Sequence, residues 1–290
     1  MDQLFTVYLY VLTGLLGLCV GSFLNVVIYR LPKGMSLATP PSHCTRCNYR
    51  LRWFDNVPVL SYLFLGGKCR KCRAPISFRY TAVELLNAAL WLLCVRVFWE
   101  TSAVSAIAFA VALSVFLCIF FIDLSHGVIF DRFQIILLAL GILTTVFDPD
   151  FAWYSHLIGG AAGFLVFLLV ALLFARLCGR EGLGGGDVKL AGAAGLLLGW
   201  ERLLLGLLIA TVPLALFILL RRALGALKKG KSPPADGASL APTGERPCTP
   251  EEDELPEGAF PFGPALVTGF AVAMLFGTPI ITWYLALLGV

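Results

Sequence analysis

Eight apolar runs constrain this 290-residue chain more than any other feature. They cover residues 4–28, 82–98, 103–122, 133–147, 157–174, 188–200, 203–220 and 265–290. About 20 apolar residues in a helix cross a hydrocarbon core of ~30 Å, and in that medium the backbone must satisfy its own hydrogen bonds. With 59% hydrophobic and only 14% charged residues, water is not the chain's main solvent. The fold class to expect is an all-α polytopic membrane protein with about eight transmembrane helices, its termini on one side. The first run lacks the short core and small-residue cleavage site of a removable signal peptide and reads as a retained helix.

Lysine and arginine orient such a chain. Of the 22, ten lie at positions 30–79 and six at 221–246. The turns that would face the other side, around Glu100, at 148–156 and at Glu201-Arg202, hold only Arg202, with Arg96 nearby in its helix. The two basic loops therefore read as cytoplasmic and both termini as external. A net charge of +4 raises the question of nucleic acid, but the basic residues border apolar spans and no nucleic-acid module is present. Anionic lipid headgroups are the partners this pattern fits.

The two cytoplasmic loops differ. Residues 31–80 are rich in Cys, Arg, Pro and aromatics, as in a small folded module, whereas 228–258 are rich in Pro, Gly, Ser and charge and read as a flexible linker. In the first loop Cys44-x-x-Cys47 and Cys69-x-x-Cys72 are separated by 21 residues. Each short pair grips two corners of a tetrahedron, so the spacing is that of a four-thiolate zinc site, closed to further ligands and hence structural. Reducing conditions favour metal over disulfides. Arg46, Lys68, Arg70, Lys71 and Arg73 interleave with the cysteines and would favour thiolates. Cys19, Cys94, Cys118 and Cys178 read as small apolar residues, and Cys248 has no assigned role.

An ionisable group within a membrane span is costly and is a functional candidate by default. Asp123 closes the run VFLCIFFID, and Asp187 follows the glycine cluster GLGGGD and opens the sixth run. One helix leaves the membrane at Asp123 and another enters at Asp187, so both carboxylates lie toward the cytoplasmic side and can meet. From Asp187 to Trp200 the helix rises only ~20 Å, so Asp187 is expected roughly 10 Å inside the membrane boundary. Irregular backbone at that depth must line a cavity, and Gly184, Gly185 and Gly186 would let it approach a peptide. Two carboxylates sharing one site favour one proton between them, one acting as base on a water and the other as acid toward a peptide carbonyl. Asp131 is the competing partner for Asp123, and each acid read alone also fits a helix-end charge or cap.

With these motifs assembled, the chain resembles the bifunctional type IV prepilin peptidases, the leader peptidase/N-methyltransferases of the GxGD-type intramembrane aspartyl proteases, nearly end to end. The first-helix motif is GSFLNVVIYRLP at 21–32, followed by the paired cysteine loop. Arg79, Tyr80, Val83 and Glu84 match a further segment, with Thr81 where the family has proline. The family's aspartates fall on Asp123 and Asp187, and its closing P-F-G-P on residues 261–264. Phe130 stands where proline usually precedes the second acid, Asp131.

The resemblance implies an inner-membrane, multi-pass enzyme that cuts the basic leader from prepilins and pseudopilins of type IV pili and type II secretion. It further implies methylation of the new N-terminal residue, often Phe, with S-adenosylmethionine. On this reading residues 1–98 form the methyltransferase part and residues 99–290 the six-helix peptidase part. Asn25, Glu84 and Asn87 are candidates for the methyl-donor or substrate pocket, with contacts between helices as the alternative. Peptidase activity without methyl transfer, a transporter and a zinc-loop scaffold are the competing readings. The cysteine loop argues against the first, the lack of two related halves against the second, and GLGGGD against the third.

Overall fold

The computed structural model describes residues 3–148, 152–178, 183–229 and 262–289. Its helices in chain order are α1 (Gln3–Arg30), a 3-10 turn η1 (Trp53–Asn56), α2 (Leu60–Phe64), α3 (Arg79–Phe98), α4 (Ala103–His126), α5 (Asp131–Phe147), α6 (Trp153–Cys178), α7 (Gly185–Leu198), α8 (Trp200–Lys229) and α9 (Gly263–Leu288). The eight apolar runs fall on α1 and α3 to α9. Five of these, α1, α3, α4, α6 and α9, are long and apolar enough to cross a membrane among the described residues. No strand occurs among them, only two isolated bridges in the cysteine loop. Lys228 and Lys229 of the expected linker end α8, and the rest of that linker lies outside the described residues.

Helix α4 is the centre of the bundle. Its Phe109, Ala112, Ile119 and Ile122 are fully buried, and it packs against α3, α5 and α9. Lipid is as apolar as leucine, so close backbone approach has to replace the hydrophobic effect between helices, and small residues permit it. On α6 and α7, Gly159 faces Gly195 and Gly163 faces Ala191, so tightly that a methyl group on Gly195 would overlap the Gly159 carbonyl. Gly17 and Gly21 of α1 likewise lie on the backbone of Ala88 and Glu84 of α3. The outer faces of α5 and α6 show the converse, with Ile135, Ile142, Leu165 and Leu172 exposed.

At the end of the bundle opposite the cysteine loop a polar cluster gathers around the fully buried Arg202 and His156. Arg202 at the start of α8 donates to Asp148 Oδ2 at 2.7 Å and to Thr278 of α9 at 2.9 Å. His156 Nδ1 of α6 donates to the Leu196 carbonyl of α7 (3.0 Å), and its Nε2 lies 3.7 Å from Asp148. Ser155 donates to Glu201. Buried charge is tolerated here because it is paired.

Candidate functional site

Asp123 sits in the last turn of α4, which stops because Gly127 takes the left-handed conformation at φ 65° and its N–H closes on the Asp123 carbonyl at 2.8 Å. The chain then turns through Ile129 and Phe130 into α5. Phe130 is the residue before that helix, at φ −77° and ψ 136°, an angle that proline would also supply. The substitution therefore leaves the helix boundary intact, and the ring packs 6.4 Å from Phe133 instead. Asp187 occupies the first turn of α7, its N–H donating to the Gly184 carbonyl at 3.0 Å. Helix α7 has only 14 residues, or about 21 Å of rise, so it is shorter than a full hydrocarbon core.

These helix ends converge. The Asp123 and Asp187 carboxylates lie within electrostatic reach of each other. The first residue of α9, Gly263, sets its amide toward the Asp123 carboxylate. A Cβ on Gly263 would lie 2.6 Å from Asp123 Oδ2, so any side chain there displaces that carboxylate. Ile129 fills the space between Gly186 and Gly263. Gln134 of α5 donates to the Gly186 carbonyl at 3.0 Å and so fixes the glycine turn. Gly184 borders the Asp187 carboxylate, and Gly185 faces open space. Asp123 is buried, whereas Asp187 is half-buried. Asp123 Oδ2, His126 Nδ1 and Gln134 Oε1 are buried without a hydrogen-bond partner, which leaves polar atoms at this end for a peptide or water to satisfy.

Asp131, the competing acid, instead pairs with Lys189 of α7 at 2.7 Å, and both side chains are exposed. It marks the mouth of an apolar groove of about 560 Å³ between α5, α6 and α7 that includes Gln134, Gly160, Phe164 and Gly192. Gln134, Ile129 and Gly263 were missed as site residues in the sequence. Gly263 had a signal, the P-F-G-P string, whereas Gln134 and Ile129 are ordinary residues whose role depends on helix docking.

The loop between α1 and α3 gathers its four cysteines. Cys44 and Cys72 sulfurs are 3.9 Å apart, Cys47 and Cys69 sulfurs 4.0 Å, and all four lie within 4.8 Å of one another, a group that can hold a metal ion. The two halves repeat one turn. Asn48 N–H bonds the Cys44 carbonyl (2.9 Å) and Cys44 N–H bonds the Tyr49 carbonyl (2.9 Å), while Arg73 N–H bonds the Cys69 carbonyl (3.0 Å) and Cys69 N–H the Ala74 carbonyl (2.8 Å). Asn48 and Arg73 both take left-handed angles, φ 51° and 58°. Backbone N–H groups of Cys72 and Lys71 pull the Cys69 thiol down to about 6. The basic side chains expected to do this are partly engaged elsewhere, since Arg70 pairs with Asp55 at 2.7 Å. The Tyr49 amide lowers Cys47, but burial and the three neighbouring thiols outweigh it and push it up to about 11.

Between this loop, α1 and α3 lies a cavity of about 660 Å³, within the size range of small-molecule sites. Asn25 and Glu84 line it, with Tyr29, Tyr49, Tyr62 and Tyr80. Asn25 donates to the Tyr80 carbonyl at 3.0 Å, and Glu84 accepts from the Val59 N–H at 2.8 Å. Asn87 does not reach the cavity. It is fully buried, donating to the Gly17 carbonyl at 2.8 Å and accepting from Ser114 at 2.7 Å, a contact between α1, α3 and α4. Arg30 holds the start of the loop by donating to the carbonyls of Ser36 and Pro40.

Comparison with known proteins bears on both sites. Residues 15–98 match the family model of the bacterial peptidase A24 N-terminal domain, and residues 110–219 that of the type IV leader peptidase family. A prepilin leader peptidase/N-methyltransferase of Burkholderia pseudomallei is 34% identical over 289 residues, covering 91% of this chain and 84% of that protein. The protein of that name from Pseudomonas aeruginosa is 32% identical over 303 residues, covering 96% and 93%. The one from Myxococcus xanthus is 40% identical over 210 residues, covering 72% of this chain and 61% of that protein. No solved structure matches. With the cysteine loop, the two aspartates and these relatives in agreement over most of its length, this multi-pass membrane chain belongs to the type IV leader peptidase family.

Proposed function

We propose that this chain cleaves the leader of type IV prepilins or pseudopilins with Asp123 and Asp187 as an aspartyl pair and then N-methylates the new terminus. The observation that carries the reading is that Asp123, held against Gly263 of α9, lies within electrostatic reach of Asp187 at the start of α7. One carboxylate, ionised, takes a proton from a water positioned between the pair. The other, protonated, hydrogen-bonds the scissile carbonyl, and the pair exchanges these roles as the amine leaves. Gly184, beside the Asp187 carboxylate, and Gly185, which faces open space, keep the approach free of side chains, while Gly186 gives room to Ile129. The groove beside α7 would admit a substrate helix from the bilayer, which brings its leader junction to the level of Asp187. The loop end of the bundle is then cytoplasmic and the termini external, with eight spans.

Zinc is the metal we assign to Cys44, Cys47, Cys69 and Cys72. Sulfur ligands at ~2.3 Å around a tetrahedral ion stand ~3.8 Å apart, close to the spacings of the thiols. Its part is to hold the loop. S-adenosylmethionine supplies a methyl group on a sulfonium cation when bound. The cavity beneath the loop suits such a cation, because Glu84 and four tyrosines line it and both carboxylates and aromatic faces attract onium groups. Asn25 and Glu84 remain in the pocket assignment, and Asn87 serves as a helix contact that supports them.

Purified Asp123→Asn and Asp187→Asn variants should each lose leader cleavage by about a hundredfold or more, with no further loss in the double variant. Both should still methylate a synthetic peptide that begins with the mature residue. Full cleavage by either variant removes that carboxylate from the mechanism. Failure of both to methylate means that the two activities share one site.

A further inference from the structure

The loop between α1 and α3 carries an apolar face that its own fold leaves bare. On α2, Leu60, Leu63 and Phe64 are 51%, 66% and 85% exposed, and their spacing puts them on one side of the helix. Trp53, on the adjoining η1, is 82% exposed, and Phe78, immediately before α3, is 61% exposed. The opposite side of α2 is occupied, since Ser61, Tyr62 and Leu65 line the cavity beneath the loop. So much bare apolar surface in a water-facing loop calls for a partner.

Two contacts establish the height of this face relative to the spanning helices. Glu84 accepts the Val59 N–H at 2.8 Å, and the Tyr62 ring meets the Phe78 ring at 6.1 Å. Glu84 is five residues beyond Arg79, the start of α3, which is about 7–8 Å along its axis. The first turn of α2 is therefore drawn down beside a membrane-spanning helix instead of standing above it. Val59 holds a left-handed φ of 60°, an unfavourable angle for a β-branched residue, and the Glu84 carboxylate secures that turn. Arg52 beside Trp53, Arg79 beside Phe78 and Lys68, whose N–H bonds the Leu65 carbonyl after α2, are exposed. Apolar and aromatic side chains rimmed by cations are the chemistry of a peripheral element seated in an anionic leaflet.

We propose that α2, with Trp53 and Phe78, is an interfacial wedge. Its apolar face inserts at the boundary between headgroups and acyl chains of the adjacent leaflet, and the basic residues bind lipid phosphates. The wedge forms one wall of the cavity, so the cavity opens at the membrane surface and its shape depends on the bilayer. None of this requires the proposed chemistry at Asp123 and Asp187.

The test uses full-length protein in phosphatidylglycerol-containing nanodiscs, with Phe64→Trp as a reporter and wild type as the reference. The added emission should lose at least half its intensity to phosphatidylcholine brominated near the headgroup, less to lipid brominated near the chain end, and little to aqueous iodide. Trp53→Phe should remove a bromolipid-sensitive share of the wild-type emission. Quenching by iodide without a bromolipid effect places the face in water and overturns the proposal. Protection from both quenchers means that protein covers it, a second copy or a peptide, and also overturns it. Equal metal content in the variants and wild type confirms that the loop is folded in each case.

Discussion

Gly263 and Gly195 are both crowded, yet a methyl group would act differently at each. At Gly263 the nearest atom is the end of the Asp123 side chain, which can swing away. Gly263→Ala should therefore cost little stability, within about 0.5–1 kcal/mol, while displacing Asp123 and lowering cleavage by about tenfold or more. Thermal unfolding in detergent and cleavage kinetics separate the two effects, and wild-type kcat in a stable variant rules out the tight fit. In the loop, the repeated left-handed positions 48 and 73 are filled unequally. Asn48 tolerates that angle, whereas a long side chain such as Arg73 does so at a cost of about 1–2 kcal/mol. Arg73→Gly should thus hold its metal at least as firmly as wild type in a chelator competition, despite losing a positive charge beside the thiolates.

Elements succeed here through close approach. Helix α7 is short and flanked by α5 and α6, so the position of Asp187 depends on how deeply those neighbours seat. Gly195→Ala would push a methyl group into the Gly159 backbone, which cannot rotate away as a side chain can. We expect about 1–3 kcal/mol of destabilisation from this overpacking, together with reduced cleavage as α7 shifts. Unchanged melting temperature and activity would show that the interface yields freely. The cysteine loop relies on a charge instead. Burial raises the Asp55 carboxyl, but hydrogen bonds from Arg70, the Arg52 amide and Tyr49 outweigh it and hold it below its ordinary value. A carboxyl depressed in this way adds stability that is fully present above its unfolded value of about 4 and is lost as pH falls through the folded value. Asp55→Asn should weaken metal retention by about tenfold at neutral pH, the cost of degrading hydrogen bonds to a charged group. Amide exchange in the loop should differ from wild type at neutral pH, and the difference should close in acid.

Across the whole molecule, polar groups collect at two ends of an apolar bundle. Gly263 and Thr278 of α9 mark them, 15 residues or about 22 Å apart. One end carries the carboxylate pair. The other, built on Arg202 and Asp148, ties the end of α5 and the start of α8 to the middle of α9. Removing one member of a buried ion pair strands the other, at a cost of about 3–5 kcal/mol. Arg202→Ala should lower the melting temperature markedly, while the fraction that remains folded cleaves with near-normal kcat. A selective loss of kcat at full stability would instead mean that the two ends are coupled.

The amino-acid sequence alone determined the membrane class, the helical runs, the cysteine loop and the candidacy of Asp123 and Asp187. These features are local. Apolar length, C-x-x-C spacing and an acid beside glycines in a hydrophobic run are written within a few turns of chain. Tertiary structure decided which distant groups meet. Gly263 reached Asp123 from the far side of the linker, Gln134 fixed Gly186, and Asp131 went to Lys189 at the surface. It also separated three polar residues that looked alike in sequence, sending Asn25 and Glu84 to the cavity and Asn87 to a helix seam. The physical reason is that side-chain partners across a bundle are set by the depth and rotation of whole helices. Those follow from backbone approach at glycines such as Gly17, Gly159 and Gly195, a sum over many contacts that no single motif encodes.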